Sequence, residues 1–448
     1  MNENPVVREK GNVVKVSGNN PIKTLFRKGM FMLKAQLGLI VFFFKLKQKQ
    51  ILFFGSHIHR IFQNGQYFNR FYDSMVDFHG LQNKVYNVEY QKINEPIYNK
   101  KAVISLNTYL DYHKLVNKVY NKFRKRKPLL ALKQYDQFCN DLSGLNLKLE
   151  DLRLSENHLI EWSEKVNTNN MFFERLYKKV KPQKVIFLGY YGLDDLYAAL
   201  LAANKLGIKT IDFQHGPQTN VHLAFSCWNK IPEKGFNSMP VEFWNWDQAS
   251  KNNIDTWANT ANGVKAKVVG QPYLGYWMHK MKNENIKKQY VFYSLQTHPF
   301  SIEDFLTPQI IALIKRLKYN WVLRLHPRNN LDIDELKLFL KTNKIENKAH
   351  IQDAFNVPLP EVLTASVLHI TNYSGCLIEA YQLGVPTLLI NEVGHEMFSE
   401  YIDNKLVYYL NQNETHFQQA FEDVIKNCEN LPILKESINV FNPLGGFK

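Results

Sequence analysis

The sequence predicts an α/β protein with two parallel-sheet domains that face each other across a cleft. Short apolar strands alternate with helical segments in both halves of the 448-residue chain, a pattern typical of parallel sheets with helical crossovers. A polar stretch at residues 280–288 separates the halves and predicts a linker. Several strands end in small or polar residues, and the carboxyl ends of parallel strands are where such sheets bind ligands.

The first 48 residues precede the first predicted strand and predict a basic amphipathic helical segment. Residues 1–50 contain ten lysines and arginines against two acidic residues, a net charge of +8. The apolar run at residues 37–44 has about half of the ~20 residues that a membrane-spanning helix needs. Two interpretations follow: a helix that lies on an anionic membrane surface, or a leading helix packed on the first domain.

The first α/β domain is expected at residues 49–283. Residues 60–75 predict a helix, and residues 107–180 predict a largely helical insert. A further helix at residues 193–206 ends at Gly207, the residue type that most often follows a helix. The predicted strands cover residues 50–56, 84–90, 101–106, 184–189, 210–214, 240–246 and 266–270.

The second α/β domain is expected at residues 284–430, and residues 431–448 form a tail. Residues 367–390 predict a strand, a loop, a short helix and a second strand, in that order. Three other predicted strands cover residues 289–294, 321–325 and 350–352, and predicted helices cover residues 307–318, 333–343 and 414–427.

The composition indicates a cytoplasmic protein with an anionic partner. The chain has 56 Lys and Arg against 41 Asp and Glu, a net charge of +15. Its 4 cysteines form no C-x-x-C pair, which disfavours a zinc site or a disulfide framework and suits a reducing compartment. Residues 1–20 lack the apolar region of a secretory signal. No aromatic–basic motif of a known RNA or DNA module is present, so we expect no nucleic-acid partner.

The loop that follows the predicted strand 367–371 is a candidate phosphate site. Asn372, Ser374 and Gly375 lie where the next helix begins, and backbone N–H groups there suit an oxyanion. Glu379 lies one turn into this helix. Its carboxylate either accepts hydrogen bonds from ribose hydroxyls or complements the helix dipole.

Two other strand ends in the second domain carry candidate donor-binding residues. His326 directly ends the strand that contains Arg324, and an imidazole N–H can hydrogen-bond a phosphate. Ser294, Gln296 and Thr297 follow the first strand of this domain. A second His-Pro dipeptide lies there, but His326 is favoured because it terminates a strong apolar strand.

The first domain offers three candidates for a general base that deprotonates an acceptor hydroxyl. His215 follows the predicted strand 210–214, and the Gly-Pro pair after it forces a sharp turn that would expose the ring. Asp194 and Asp195 follow the strand 184–189. Burial would raise the pKa of either carboxyl, although an Asp before a helix is also a common N-cap.

No metal and no cofactor are expected. The sequence has no D-x-D flanked by strand signals, where a metal–diphosphate bridge would be expected. Asp332 and Asp334 open a helix, where capping is the usual role. The sequence contains no G-x-G-x-x-G and no Walker A motif, which disfavours NAD and P-loop chemistry.

Taken together, these motifs resemble the GT-B superfamily of glycosyltransferases, in particular bacterial enzymes of capsule, lipopolysaccharide and teichoic acid assembly. The resemblance covers about residues 184–395, and the N-terminal third has no matching motif. It is carried by Gln214-His215-Gly216, by Arg324-Leu325-His326-Pro327, and by Thr371-Asn372-Tyr373-Ser374 with Glu379-Ala380 and Gly384-Val385-Pro386 after it.

The resemblance implies two Rossmann-like domains, with the acceptor on the first and the nucleotide donor on the second. His326 and Ser374 match positions where bacterial sialyltransferases and Kdo transferases contact the donor phosphate. The base of those enzymes is an Asp in an acidic-Gly motif, and Asp194-Asp195 lacks the following Gly. His215-Gly216 is similar to the His-Gly motif of teichoic-acid glycerophosphotransferases, whose His is the proposed base.

The function expected from the sequence is a metal-independent, inverting glycosyltransferase. It would move a sugar from a nucleotide-sugar donor to a hydroxyl of a growing bacterial surface glycan or glycolipid, on the inner face of the plasma membrane. The alternatives are a CDP-polyol phosphotransferase of teichoic-acid type and a nucleotide-sugar 2-epimerase. A non-catalytic membrane- or nucleic-acid-binding protein is the alternative from another class.

Overall fold

The computed structural model describes residues 21–124, 132, 134–144, 152–226, 228, 231, 236–258, 263–280, 287–296, 299–329, 331–402, 405–429, 431 and 440–445. Among these residues, nine strands precede residue 280: β1 (Ile51–Gly55), β2 (Arg60–Gln63), β3 (Gln66–Asn69), β4 (Val85–Glu89), β5 (Val103–Ser105), β6 (Lys184–Phe187), β7 (Lys209–Phe213), β8 (Glu242–Asn245) and β9 (Lys265–Val268). Seven of them form a parallel sheet in the order β5-β4-β1-β6-β7-β8-β9, while β2 and β3 pair as an antiparallel hairpin.

Both faces of this sheet are covered by helices. Leu52 and Phe54 of β1 belong to one core cluster, and Ile51 and Phe53 belong to the other, as alternation along a doubly covered strand requires. The α-helices described in this part of the chain are α1 (Pro21–Lys45), α2 (Tyr72–Phe78), α3 (Asn107–Arg124), α4 (Tyr135–Ser143), α5 (Glu156–Val180), α6 (Asp194–Lys205), α7 (Gln248–Ala258) and α8 (Pro272–Lys280).

The helix predicted for residues 60–75 is wrong. The β2–β3 hairpin occupies most of that segment, and α2 begins only at Tyr72. Asn64 and Gly65 form the turn with φ angles of 50° and 75°. A two-residue turn with both central residues at positive φ matches the twist of paired strands, and Asn-Gly is its preferred sequence. That local signal outweighs the apolar spacing that suggested a helix.

The second domain is a six-stranded parallel sheet with the order β12-β11-β10-β13-β14-β15. Its strands are β10 (Tyr290–Ser294), β11 (Asn320–Arg324), β12 (Ala349–Gln352), β13 (Ser366–Thr371), β14 (Thr387–Leu389) and β15 (Val407–Tyr409). Its helices are α9 (Ile302–Phe305), α10 (Pro308–Arg316), α11 (Ile333–Thr342), α12 (Leu359–Thr364), α13 (Cys376–Gln382), α14 (Glu392–Met397), α15 (Ser399–Ile402) and α16 (Phe417–Cys428). The strand order reverses between β10 and β13, where an open sheet of this type has its ligand crevice.

The expectation of two parallel-sheet α/β domains is therefore confirmed. Direct hydrogen bonds join the domains: the Gln382 side chain donates to the Trp246 carbonyl at 3.2 Å, and the Tyr401 hydroxyl donates to Asp247 Oδ2 at 2.6 Å. The chain also returns to the first domain near its end, because the Phe441 ring packs edge-on against Trp244 at 4.8 Å.

The loop after β7 and the loop after β13 meet at the domain boundary. A Cβ atom on Gly375 would lie 2.7 Å from Cδ of Pro217, so these loops approach this closely only because residue 375 has no side chain. The φ of Gly375 is −59°, which any residue adopts. The requirement for glycine at this position is therefore steric and arises from the other domain.

Within the described residues, no helix is both long and apolar enough to cross a bilayer. This holds for the 25-residue helix α1, whose apolar positions are interrupted by charged side chains.

We expect Gly375→Ala to lower the free energy of unfolding by about 1–3 kcal/mol, as overpacking of a close contact does. Urea denaturation of the purified protein measures this. Gly216→Ala is the matched control, because a Cβ there meets no atom within 4 Å. Equal stability of the two variants would show that the contact between these loops is not a real constraint.

Candidate functional site

The loop contact at Gly375 brings together two predicted pieces of the site from different domains. His215 and Gly216 directly precede Pro217, and Ser374 directly precedes Gly375. The structure thus places the candidate base of the first domain beside the candidate phosphate loop of the second.

His215 lies in a confined position at the end of β7. Its ring makes an edge contact with His59 at 5.5 Å between centroids, and a Cβ on Gly189 would lie 2.9 Å from its Cε1 atom. Burial, with smaller contributions from the charges of Arg70, His222 and Arg328, lowers the pKa of His215 to about 4. Its Nδ1 atom is buried and has no hydrogen-bond partner. The ring is therefore neutral at physiological pH.

His326 follows β11 and has its protonation set by a local hydrogen bond. Its Nδ1 accepts from the backbone N–H of Arg328 at 3.0 Å, so the neutral ring carries its proton on Nε2. Burial, together with the charges of Arg328 and Arg70, lowers the pKa of His326 to about 4. His326 is thus a neutral hydrogen-bond donor suited to a phosphate oxygen.

Arg70 lies near both histidines, although its place in the candidate site was not predicted from the sequence. It follows β3, and its guanidinium lies 4.7 Å from the centroid of the Phe71 ring. Its charge is among the causes that lower the pKa values of both His215 and His326. Its Nε atom is buried without a partner, and no carboxylate of the described part of the chain forms an ion pair with it. The Asn64-Gly65 turn was the signal that could have placed Arg70 at the end of a hairpin.

Arg328 supplies a second positive charge. It is exposed, and its charge contributes to the lowered pKa values of both histidines, after burial in each case. Two guanidinium groups near two neutral imidazoles make this region electropositive. Such a region suits a ligand with more than one negative charge, such as a diphosphate.

Arg324 is engaged in holding a neighbouring loop. It is buried, and it donates to Gln352 Oε1 at 2.6 Å and to the carbonyls of Ala354 and Val357, each at 2.8 Å. These bonds use both terminal nitrogens. The structure therefore gives Arg324 a role in fixing the segment after β12.

The loop after β13 is stabilised by its own side chains. Ser374 donates its backbone N–H to Thr371 Oγ1 at 3.0 Å, and its hydroxyl accepts from the Cys376 N–H at 3.3 Å. The buried Asn372 accepts from the Tyr293 hydroxyl at 3.0 Å, while its Nδ2 has no partner. The Cys376 N–H is one of the helix N–H groups expected to bind phosphate, and it already donates to the Ser374 hydroxyl.

The remaining predicted donor-binding residues are also bonded within the fold. Glu379 is buried and accepts from Gln271 Nε2 at 3.0 Å; burial raises its pKa, while the charge of Arg70 opposes this. Ser294 is hydrogen-bonded to His369 Nε2 at 2.8 Å, and Gln296 donates to Thr371 Oγ1 at 3.3 Å. Thr297 lies outside the described residues.

Asp194 and Asp195 are held by helices of the first domain. Asp194 accepts from Trp162 Nε1 at 2.7 Å and pairs with Lys165. Burial raises the pKa of Asp194, but these two partners outweigh burial and leave it below its usual value. Asp195 accepts from Asn169 Nδ2 at 2.6 Å. Asp195 also pairs with Lys114 at 3.4 Å. Both carboxylates are thus engaged by partners within the first domain, which makes them poorer candidates for a base than His215.

Asp212 is a second residue that the sequence analysis missed, because it lies inside an apolar strand. Burial raises its pKa to about 8, although the N–H groups of Gly189 and Tyr190 and the Gln218 side chain oppose this. Gln218 Nε2 donates to its Oδ2 at 3.0 Å. The Asp212 carboxyl is therefore largely protonated at neutral pH. It lies three residues before His215 in the chain.

A cavity of about 440 Å³ lies beyond β6, and aromatic side chains form much of its wall. His215 lies near this cavity, because a Cβ on Gly189 would lie 2.9 Å from His215 Cε1 and Gly189 directly precedes the lining residue Tyr190. His222 Nδ1 accepts from the Ala224 N–H at 3.3 Å, so its Nε2–H donates to the Tyr191 hydroxyl at 3.0 Å. The aromatic lining residues are Tyr190, Tyr191, Tyr197, Trp228 and Phe236.

In the part of the chain that the structure describes, no group of three or more His, Cys, Asp or Glu side chains is arranged to hold a metal ion. The charged groups that the site presents are instead the two guanidinium groups of Arg70 and Arg328.

We expect the stability of Asp212→Asn relative to the native protein to rise with pH. The folded-state pKa of Asp212 is raised, so the native protein loses stability as pH rises from about 4 to about 8, at up to about 1 kcal/mol per pH unit. Asn cannot ionise and lacks this loss. Urea denaturation across pH 5–9 measures the difference. Asp334→Asn is the control, because the Asp334 side chain is 90% exposed. A pH-independent difference for Asp212→Asn would contradict the raised pKa.

No protein-family model and no curated protein matches the chain. Solved structures do match. The UDP-GlcNAc 2-epimerase from Neisseria meningitidis bound to UDP-GlcNAc has a TM-score of 0.50 and 13% identity, covering 88% of this chain and 97% of that one. MurG from Acinetobacter baumannii has a TM-score of 0.40 and 12% identity, covering 85% and 91%. The wall teichoic acid polymerase TagF has a TM-score of 0.41 and 13% identity, covering 91% and 93%.

At 13% identity, the likeness to the Neisseria enzyme extends to the fold and no further. It agrees with the two all-parallel sheets. The fold of this chain is the GT-B fold, as the sequence predicted.

Proposed function

We propose that this protein is a glycosyltransferase that moves a sugar from a nucleotide-sugar donor to a hydroxyl of a glycan or glycolipid acceptor. The observation that carries the proposal is the convergence of His215, His326, Arg70 and Arg328 at the contact between the two domains. Two neutral imidazoles beside the guanidinium groups of Arg70 and Arg328 suit the binding and departure of a nucleoside diphosphate.

The donor is proposed to bind with its diphosphate between Arg70, Arg328 and the Nε2–H of His326. Charge-assisted hydrogen bonds from these groups would stabilise the negative charge that develops on the leaving phosphate. Two guanidinium charges can supply this stabilisation themselves, and we therefore propose a metal-independent reaction.

His215 is proposed as the general base. The acceptor oxygen would form a bond to the anomeric carbon as the bond from that carbon to the phosphate breaks, and the acceptor proton would pass to His215. This single displacement inverts the anomeric centre. A bound diphosphate would offset the charges of Arg70 and Arg328, which lower the pKa of His215 in the empty site. His215 would thus become a stronger base when the donor is present.

The acceptor is proposed to lie in the aromatic cavity beside His215. Tyr190, Tyr191 and Tyr197 offer flat apolar faces, and the Tyr191–His222 pair offers polar groups that can orient hydroxyls. A surface glycan or a lipid-linked glycan fits this description, and the proposed location is the inner face of the plasma membrane.

We expect Arg70→Ala and His326→Ala each to weaken nucleotide binding by about tenfold or more, since each removes a hydrogen bond to a charged group. Calorimetric titration with UDP-, GDP-, CMP- and CDP-linked donors, with and without EDTA, measures the dissociation constant. Arg316→Ala is the control, because Arg316 forms an ion pair with Glu422 on the outer helices α10 and α16. If no donor binds, or if the two site variants bind as the control does, the proposed donor site is wrong.

We expect His215→Ala to reduce turnover by about 10²–10⁴-fold without changing donor affinity, as loss of a general base does. Transfer to a panel of alkyl glycosides is followed by mass spectrometry. Inversion of the donor sugar at C2 in the absence of any acceptor would identify a 2-epimerase instead. A product that retains phosphate from a CDP-linked polyol would identify a polyol phosphotransferase.

A further inference from the structure

Helix α1 has two apolar faces, and only one of them is covered. On the inner face, the Phe42 ring stacks on Tyr109 at 4.1 Å, and the Phe43 ring packs against Phe172 at 5.5 Å. A Cβ on Gly38 would lie 2.8 Å from the Tyr112 ring, so α3 approaches the α1 backbone closely. These contacts fix α1 on the first domain.

The outer face of α1 exposes large apolar side chains in a continuous stripe. Phe44 is 83% exposed and Ile40 is 57% exposed. Between α1 and α3 lies an apolar groove of about 890 Å³, which the same stripe borders. The exposed apolar residues of this stripe are Met30, Leu33, Leu37, Ile40, Val41 and Phe44.

Positive charges border the stripe. Lys34 and Lys45 are exposed and lie one turn beyond Met30 and Val41, respectively, so they share one edge of the helix. Lys47 is also exposed, just after the helix. No acidic residue occurs between Glu9 and Asp73 in the sequence, so no carboxylate of this segment offsets these charges.

We propose that the outer face of α1 seats the protein on an anionic lipid bilayer. A helix fixed by one face, with apolar side chains and lysines on the other, matches the physics of an interfacial helix whose apolar face enters the headgroup region. The lysines would contact anionic headgroups, and the apolar groove offers room for lipid chains. The two interpretations of this segment, membrane contact and packing on the domain, thus apply to its two opposite faces.

The test is flotation of the full-length protein with two kinds of vesicle: phosphatidylcholine alone, and phosphatidylcholine with about 30 mol% phosphatidylglycerol. The second kind carries the negative surface charge that attracts basic segments. The double variant Ile40→Gln/Phe44→Gln is expected to bind anionic vesicles at least about tenfold more weakly. Its matched control is Leu338→Gln/Val393→Gln, which changes two exposed apolar residues of the second domain. Circular dichroism and thermal unfolding verify that all variants are folded.

A second pair of variants tests the charges. Lys34→Gln/Lys45→Gln is expected to weaken binding to anionic vesicles about 30-fold, since each of the two lysines near such a surface contributes about 1 kcal/mol. Lys315→Gln/Lys341→Gln is the control, because both lysines are exposed on the second domain. Binding should also fall as salt increases.

Three outcomes would overturn the proposal. The first is that the native protein fails to bind anionic vesicles at low salt, and the second is that the α1 variants bind as well as their controls. The third is that the stripe instead joins two copies of the chain. In the last case, sedimentation without lipid would show a dimer that Ile40→Gln/Phe44→Gln converts to monomers. Vesicle binding needs no substrate, so its failure would leave the proposed transferase activity standing.

Discussion

The approach of two loops from different domains is the constraint on which the site depends. Gly375 faces Pro217 with no side chain between them, and His215 and Ser374 flank that contact. Each loop follows a strand of its own parallel sheet, so the sheets aim their carboxyl ends at a common region. The hydrogen bonds from Gln382 and Tyr401 to the first domain maintain this approach.

Arg70 and Arg328 place positive charge near this contact, and that charge would favour the binding of an anion. Arg70 and Arg328 depress the pKa values of the two histidines, after burial, so the histidines add no further positive charge to the empty cleft. Asp212 adds little negative charge at neutral pH, because burial raises its pKa to about 8. Burial also raises the pKa of Glu379, while the charge of Arg70 opposes that rise. A bound anion would therefore offset the positive charges of Arg70 and Arg328.

The sequence predicted those parts of the site that lie at the ends of apolar strands. His215 and His326 each lie two residues after the end of an apolar strand, β7 and β11 respectively. Both were predicted at strand ends. Arg70 was missed because its position depends on a turn inside a segment with helix-like spacing. The positions of Arg324 and Asp194 were predicted, but their partners were not. Those partners come from distant segments, at residues 352–357 and 162–165, which only the folded chain brings close.

Helix α1 and the aromatic cavity belong to the same packed layer of the first domain. The core cluster that buries Leu39 and Phe42 of α1 continues through α5 and α6 to Tyr190, which lines the cavity. A membrane surface that binds α1 would therefore also fix the orientation of the cavity, because a close-packed protein interior is nearly rigid. In the proposed reaction, a lipid-linked acceptor would reach His215 from the side of the protein that faces its own membrane, while the donor would enter from the second domain.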